Sequence, residues 1–148
     1  MSLDVNIIFN CSPEILVKVI LREPRSQMAE KNEDFKWSAS IDPIETGILY
    51  TENIHPRGRM GYQEVFGIDF QHKITVMMPR PNPGPGTIFA RKLVSELRRC
   101  QCDFGVLVEG ESLLRQINGK IEPMPTDEGP MRTFAMWFIE ERDIEPPV

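Results

Sequence analysis

The chain has 148 residues, 41% hydrophobic and 26% charged with a formal net charge of −5, the make-up of an ordinary globular domain able to bury a core without staples. It has no run of about 18 apolar residues, which excludes a transmembrane helix. The start Met-Ser-Leu-Asp-Val-Asn lacks the basic and apolar regions of a secretory signal.

The charge is unevenly spread. Residues 1–102 hold 13 Lys/Arg against 12 Asp/Glu, and residues 103–148 hold 4 against 10. An acidic final third argues against a nucleic-acid binder, whose footprint is basic, and is compatible with attraction to a basic protein partner. Three cysteines, Cys11, Cys100 and Cys102, form a small odd set that suits a reducing cytoplasm better than a disulfide scaffold.

Val5 to Phe9 is a short apolar run that predicts a first strand. Ser12-Pro13-Glu14 then starts a helix: Ser12 can cap, Pro13 takes the first helical position, and Glu14 suits the positive end of the dipole. Ile15, Leu16, Val19 and Ile20 make its apolar stripe, and Pro24 bars continuation, giving a helix over 12–23. Residues 25–36 read as loop or irregular turn. Trp37 to Ile41 and Gly47 to Thr51 read as strands. Ile54 to Tyr62, punctuated by Pro56, Gly58 and Gly61, reads as a loop.

Phe66 to Met78 alternates an apolar row (Phe66, Ile68, Phe70, Ile74, Val76, Met78, broken only by His72) with a mostly polar row, the period of a strand. A straight strand of that length would span roughly 40 Å, more than most strands cover. A bend is therefore expected near Gln71-His72-Lys73 in what reads as the central strand. The prolines of Pro79 to Gly86 end it. Thr87 is expected to cap a second helix, over 87–101, with Ala90, Leu93, Val94 and Leu97 on its core stripe. Phe104 to Val108 reads as the next strand. Asn118-Gly119 between Leu113–Ile117 and Lys120–Met124 signals a type I′ hairpin, which sets Arg115 opposite Glu122 and Gln116 opposite Ile121. Thr133 to Ile139 suits either a buried strand or a short helix, and Glu140 to Val148 is an acidic, proline-ended tail. No internal repeat or domain boundary is evident. The expected architecture is a single α+β domain over 1–148, with a mixed or antiparallel sheet and two main helices packed on one face.

The chemistry is sparse. Cys100-Gln101-Cys102 is too tightly spaced for a zinc knuckle and has no second pair nearby. His72 could act as a base beside Asp69 and Lys73, but a histidine where a sheet face reaches water is the simpler reading. His55-Pro56-Arg57-Gly58-Arg59 could form an anion-binding loop, or a solvated turn. No phosphate-binding loop, nucleophile elbow or zinc-protease motif is present. Glu109, Glu111 and Glu122, with Arg115, gather around the C-terminal hairpin and are candidates for a partner-facing acidic edge.

In order, V-F-G-I-D-F-Q-H-K-I, A-R-K-L-V-S-E-L and C-D-F-G-V-L-V-E-G-E-S-L-L-R-Q-I-N-G-K-I resemble small bacterial immunity proteins of the swarming-inhibition, kin-discrimination type. The matching positions are Phe70, Lys73, Asp103, Leu113 and Arg115, and the likeness covers about residues 65 to 122. Gln71 stands where the family has Arg, His72 lies near its Asp, and Phe104-Gly105 follows Asp103 in place of a small residue. The resemblance implies a non-catalytic cytoplasmic protein that neutralises a cognate toxin by binding it, with no cofactor, metal or catalytic residue. Two other readings stand beside it. One is a small-ligand domain or enzyme using His55, His72, Asp69 and the Arg57–Arg59 loop. The other is a structural subunit dimerising through a strand edge or residues 133–139.

Overall fold

The computed structural model describes residues 2–29, 36–52, 54–140 and 146–147. In chain order these form β1 (Ser2–Phe9), α1 (Glu14–Leu21), β2 (Ser26–Ala29), β3 (Trp37–Ile41), a 3-10 turn (Asp42–Ile44), β4 (Thr46–Glu52), α2 (Pro56–Phe66), β5 (His72–Pro79), α3 (Gly84–Arg99), β6 (Phe104–Val108), β7 (Glu111–Ile117), β8 (Lys120–Pro123) and α4 (Pro130–Glu140). The strands make one antiparallel sheet in the order β2-β3-β4-β5-β1-β6-β7-β8, so the α+β expectation holds.

One face carries most of the core. Val5, Ile7 and Phe9 of β1, Ile74, Val76 and Met78 of β5, and Phe104 and Val106 of β6 meet α1, α3 and α4 there. The alternation of these strands puts their apolar rows on that face. On α1 the side chains Leu16, Val19 and Ile20 are buried, and on α3 Phe89, Ala90, Leu93, Val94 and Leu97. A smaller cluster of Ile8, Ile54, Phe66, Phe70 and Leu107 sits on the opposite face, under α2. Helices therefore cover both faces, three on one and one on the other, where two on a single face were expected.

Four local expectations are corrected. Residues 54–62 are not a loop: α2 starts with Pro56 at its first positions, His55 caps it by accepting from the Arg57 N–H at 3.2 Å, and Gly67 ends it at φ 82°. Proline at a helix start costs nothing, because that N–H has no intrahelical partner. The long strand is consequently shorter. Phe66 closes α2, residues 67–71 connect, and β5 begins at His72. Phe66 and Phe70 then pack on one face of the sheet while Ile74, Val76 and Met78 pack on the other. The expected centrality survives, since β5 and β1 occupy the middle of the sheet.

Helix α3 starts inside the proline run, at Gly84, and Thr87 is not its cap. The Thr87 hydroxyl lies one turn in, fully buried, and donates to the Pro83 carbonyl at 2.8 Å. Gly86 lets that turn approach the sheet, because a Cβ there would lie 2.6 Å from the Met78 Cβ and 2.9 Å from the Thr46 Oγ1. Part of the 25–36 stretch, Ser26–Ala29, pairs with β3 as an edge strand, and 30–35 lie outside the described residues. Residues 133–139 are helix, with Phe134, Ala135, Trp137 and Phe138 buried.

The Asn118-Gly119 hairpin forms with both residues at positive φ, and Arg115 faces Glu122 and Gln116 faces Ile121 as the two-residue turn demands. Glu109 (φ 52°) and Gly110 (φ 80°) make a second tight turn between β6 and β7.

Candidate functional site

The groups that could carry chemistry lie in separate places. His72 opens β5, opposite Phe9 of β1 and Glu52 of β4. It lies on the face that carries α1, α3 and α4, tilted against Phe9 at 5.3 Å and Tyr50 at 5.9 Å between ring centroids. The Tyr50 hydroxyl is 2.8 Å from His72 Nδ1, and Trp37 stacks on Tyr50 at 5.1 Å. Burial, helped by the Glu52 charge, pushes the Tyr50 phenol up to about 12. Burial pushes the His72 imidazole down, against an opposing pull from Glu52. Phenol and imidazole are thus both neutral near pH 7 and share one hydrogen bond, whose donor is set by the imidazole tautomer. Glu52 in turn pairs with Lys36 at 3.0 Å. This is a closed structural arrangement: an aromatic row with its one polar pair satisfied.

Asp69 belongs elsewhere. It lies in the connection after α2 and takes a two-pronged grip from Arg59, with Nε to Oδ1 at 3.0 Å and Nη2 to Oδ2 at 2.6 Å. The Arg59 hydrogen bond holds the Asp69 carboxyl below its ordinary range. The adjoining backbone is tied by Asn10, which donates to the Asp69 carbonyl and accepts from the Gln71 N–H. His55 spends its Nδ1 as the α2 cap, and Arg57 is exposed in the first turn. Of the five residues in the enzyme-like constellation, Arg59 and Asp69 pair through their side chains, His55 meets Arg57 through the latter's backbone N–H as the α2 cap, and His72 stands apart from them on the other face.

The acidic edge also divides. Glu109 pairs with Arg80 at 2.6 Å at the β6–β7 turn. Glu111 is exposed beside it at the start of β7. Glu122 accepts from Arg115 Nε at 2.7 Å, and Arg115 Nη1 also donates to the Phe66 carbonyl at 2.7 Å. Arg115 therefore ties the hairpin to the C-terminal end of α2, where a cation suits the free carbonyls. Three other residues of the resemblance are structural too. Leu113 and Phe70 are fully buried, and the Asp103 carboxylate accepts from the Asn118 N–H at 2.9 Å, bracing the hairpin turn.

Cys11 and Cys102 form a disulfide, with Cα atoms 5.8 Å apart, and Cys100 is free and exposed. The expectation of unpaired thiols is corrected by register. Phe9 pairs with Phe104 in the antiparallel β1–β6 ladder, and two further steps along each strand line bring Cys11 opposite Cys102. Among the described residues no group of three or more His, Cys, Asp or Glu is placed to hold a metal ion, and no helix is long and apolar enough to cross a membrane.

Two open grooves lie on the helical layer. One, of about 530 Å³, runs along α4 past Arg132, Met136 and Trp137. The other, of about 690 Å³, lies between α1 and α3 and is lined by Arg22, Arg91 and Lys92 among others. The outward cations of both helices are visible in the sequence. That the two helices lie side by side is set by the strand order, which is not. Comparison with protein-family models, curated proteins and solved structures finds no match for this chain.

Proposed function

We propose that this chain is a non-catalytic immunity protein that neutralises a cognate bacterial toxin by direct binding. The observation that carries the reading is the dispersal of the reactive groups. His72 is held by Tyr50 on one face of the sheet, Asp69 is locked to Arg59 beside the opposite face, and His55 caps α2. General acid–base work needs such groups within hydrogen-bond reach of one substrate position, and each is instead engaged where it stands. The likeness over residues 65–122 points the same way, and its residues brace the hairpin and α2. Of the four residues of the acidic edge, Glu111 at the start of β7 is exposed to a partner, whereas Glu109 is held by Arg80 and Glu122 by Arg115.

The test is co-expression with the toxin candidate encoded beside this protein. Growth is restored if the reading is right. Continued killing, with the chain folded and present, overturns it for that toxin.

A further inference from the structure

Among the described residues, α2 is the one helix on its face of the sheet, and Phe66 is its one buried residue. The side turned away from Phe66 is open: Arg57, Met60, Gly61, Glu64 and Val65 are all exposed. Met60, at 63%, is the most exposed large hydrophobic side chain among the described residues. Gly61 has no atom within 4 Å of the place a Cβ would take. Nothing within the chain therefore requires glycine there, although glycine weakens a helix interior.

The charges on this side have a definite spacing. Arg57 and Glu64 are seven apart, two turns of helix, so they share one line down α2 near its opposite ends. They stand roughly 10 Å apart along the axis, too far to meet within one chain. Among the described residues neither side chain has an ion pair or a hydrogen bond. Met60 and Gly61 lie midway between them, one on each side of the line.

We infer that α2 is the interface of a two-fold dimer of this chain, in which two copies of the helix pack antiparallel across Met60 and Gly61. A two-fold places each position opposite the one equally far beyond the midpoint, so Arg57 of each copy faces Glu64 of the other. Both opposite-charge pairs form at once and no like charges meet. A parallel arrangement would set arginine on arginine. The face is thus its own charge complement, which selects a second copy as its occupant. Met60 packs on its own counterpart near the axis, and Gly61, on the other side of the line, lets the two backbones close on each other. A ridge of eleven residues, about 16 Å long, makes an interface at the small end of the range, so the dimer is weak and reversible. Such a dimer goes beyond the binding reading above and stands whether or not the partner is a toxin.

Sedimentation velocity of the full chain, taken up to about 0.5 mM to reach a weak association, tests it. The weight-average mass of the unmodified chain rises with concentration toward that of a dimer. Arg57→Glu alone, or Glu64→Arg alone, sets like charges against each other twice and weakens association at least tenfold. Both changes suit the helix dipole, acid at its start and base in its last turn, so α2 is kept, as circular dichroism checks. An equimolar mixture of the two single variants associates again, because their reversed charges complement each other across the pair. The double variant Arg57→Glu with Glu64→Arg regains association by itself. A chain that stays monomeric throughout, a dimer indifferent to either single reversal, or single variants that fail to rescue each other in the mixture overturns the inference.

Discussion

Gly105 shows how one missing side chain positions a helix. It lies on β6 beneath α2, and a Cβ there would sit 2.8 Å from the Phe66 ring edge. Phe66 is fully buried and anchors the smaller cluster. Gly105→Ala is expected to displace it and cost about 1–3 kcal/mol, as overpacking does, read as a lower urea midpoint. His72 gives a pH signature of known sign. Burial lowers its folded pKa, so the neutral form is the one the fold favours. That contribution is complete above the unfolded value of about 6.5 and is lost as pH falls through the folded value. Thermal unfolding should therefore show a loss of stability as pH falls below about 6.5 that is smaller in His72→Asn; identical pH profiles would contradict it. The sequence marks His72 as the odd member of an apolar row, and that much is legible. Its partner, Tyr50, lies 22 positions away on a strand whose neighbour no local pattern names.

At the scale of elements, α3 ends in a way that can be tested. The Cys102 N–H bonds the Leu97 carbonyl and the Gln101 N–H the Arg98 carbonyl, with Gln101 at φ 56°. This is a Schellman ending, in which the left-handed residue is usually glycine because any Cβ costs energy there. Gln101→Gly should raise stability by about 0.5–1 kcal/mol, net of glycine's greater freedom in the unfolded chain; a lower melting temperature would contradict this. The body of α3 was readable from its stripe, as were α1 and the Asn118-Gly119 hairpin, because each depends on local period or turn chemistry. Helix α2 was not readable. Its only fully buried residue is Phe66, so it has almost no apolar stripe, and its two glycines mimic a loop. Tertiary anchoring through Phe66, with Arg115 reaching its terminal carbonyl, supports a segment whose propensity does not.

For the molecule as a whole, the element order β-α-β-β-β-α runs twice, from β1 to α2 and from β5 to α4. Each half gives one strand to the centre and a three-strand meander to a flank. Strand β5 of the second half pairs with the first half's meander, and β1 pairs with the second's. The exchange binds the halves into one sheet with no boundary to find in the sequence. Most strands were legible from alternation, but this order was not, because the apolar rows of β1, β4, β5 and β6 do not name their neighbours. The Cys11–Cys102 pair spans 91 positions across that junction, so closing it restricts the unfolded chain strongly. Cys11→Ser should lower the stability of oxidised protein by about 2–5 kcal/mol and leave reduced protein nearly unchanged; an equal loss in both states would assign the effect to packing instead.

On the function proposed above, the chain would act by occupying its partner and not by turning it over. The direct measurement is titration of the toxin's activity with purified chain, followed over time at several ratios. Inhibition is expected to reach its end point at a fixed stoichiometric ratio, not to deepen with incubation, and to be unaffected by His72→Ala. Progressive inactivation by substoichiometric amounts of chain, abolished by His72→Ala with the fold intact, would contradict it and make the protein an enzyme.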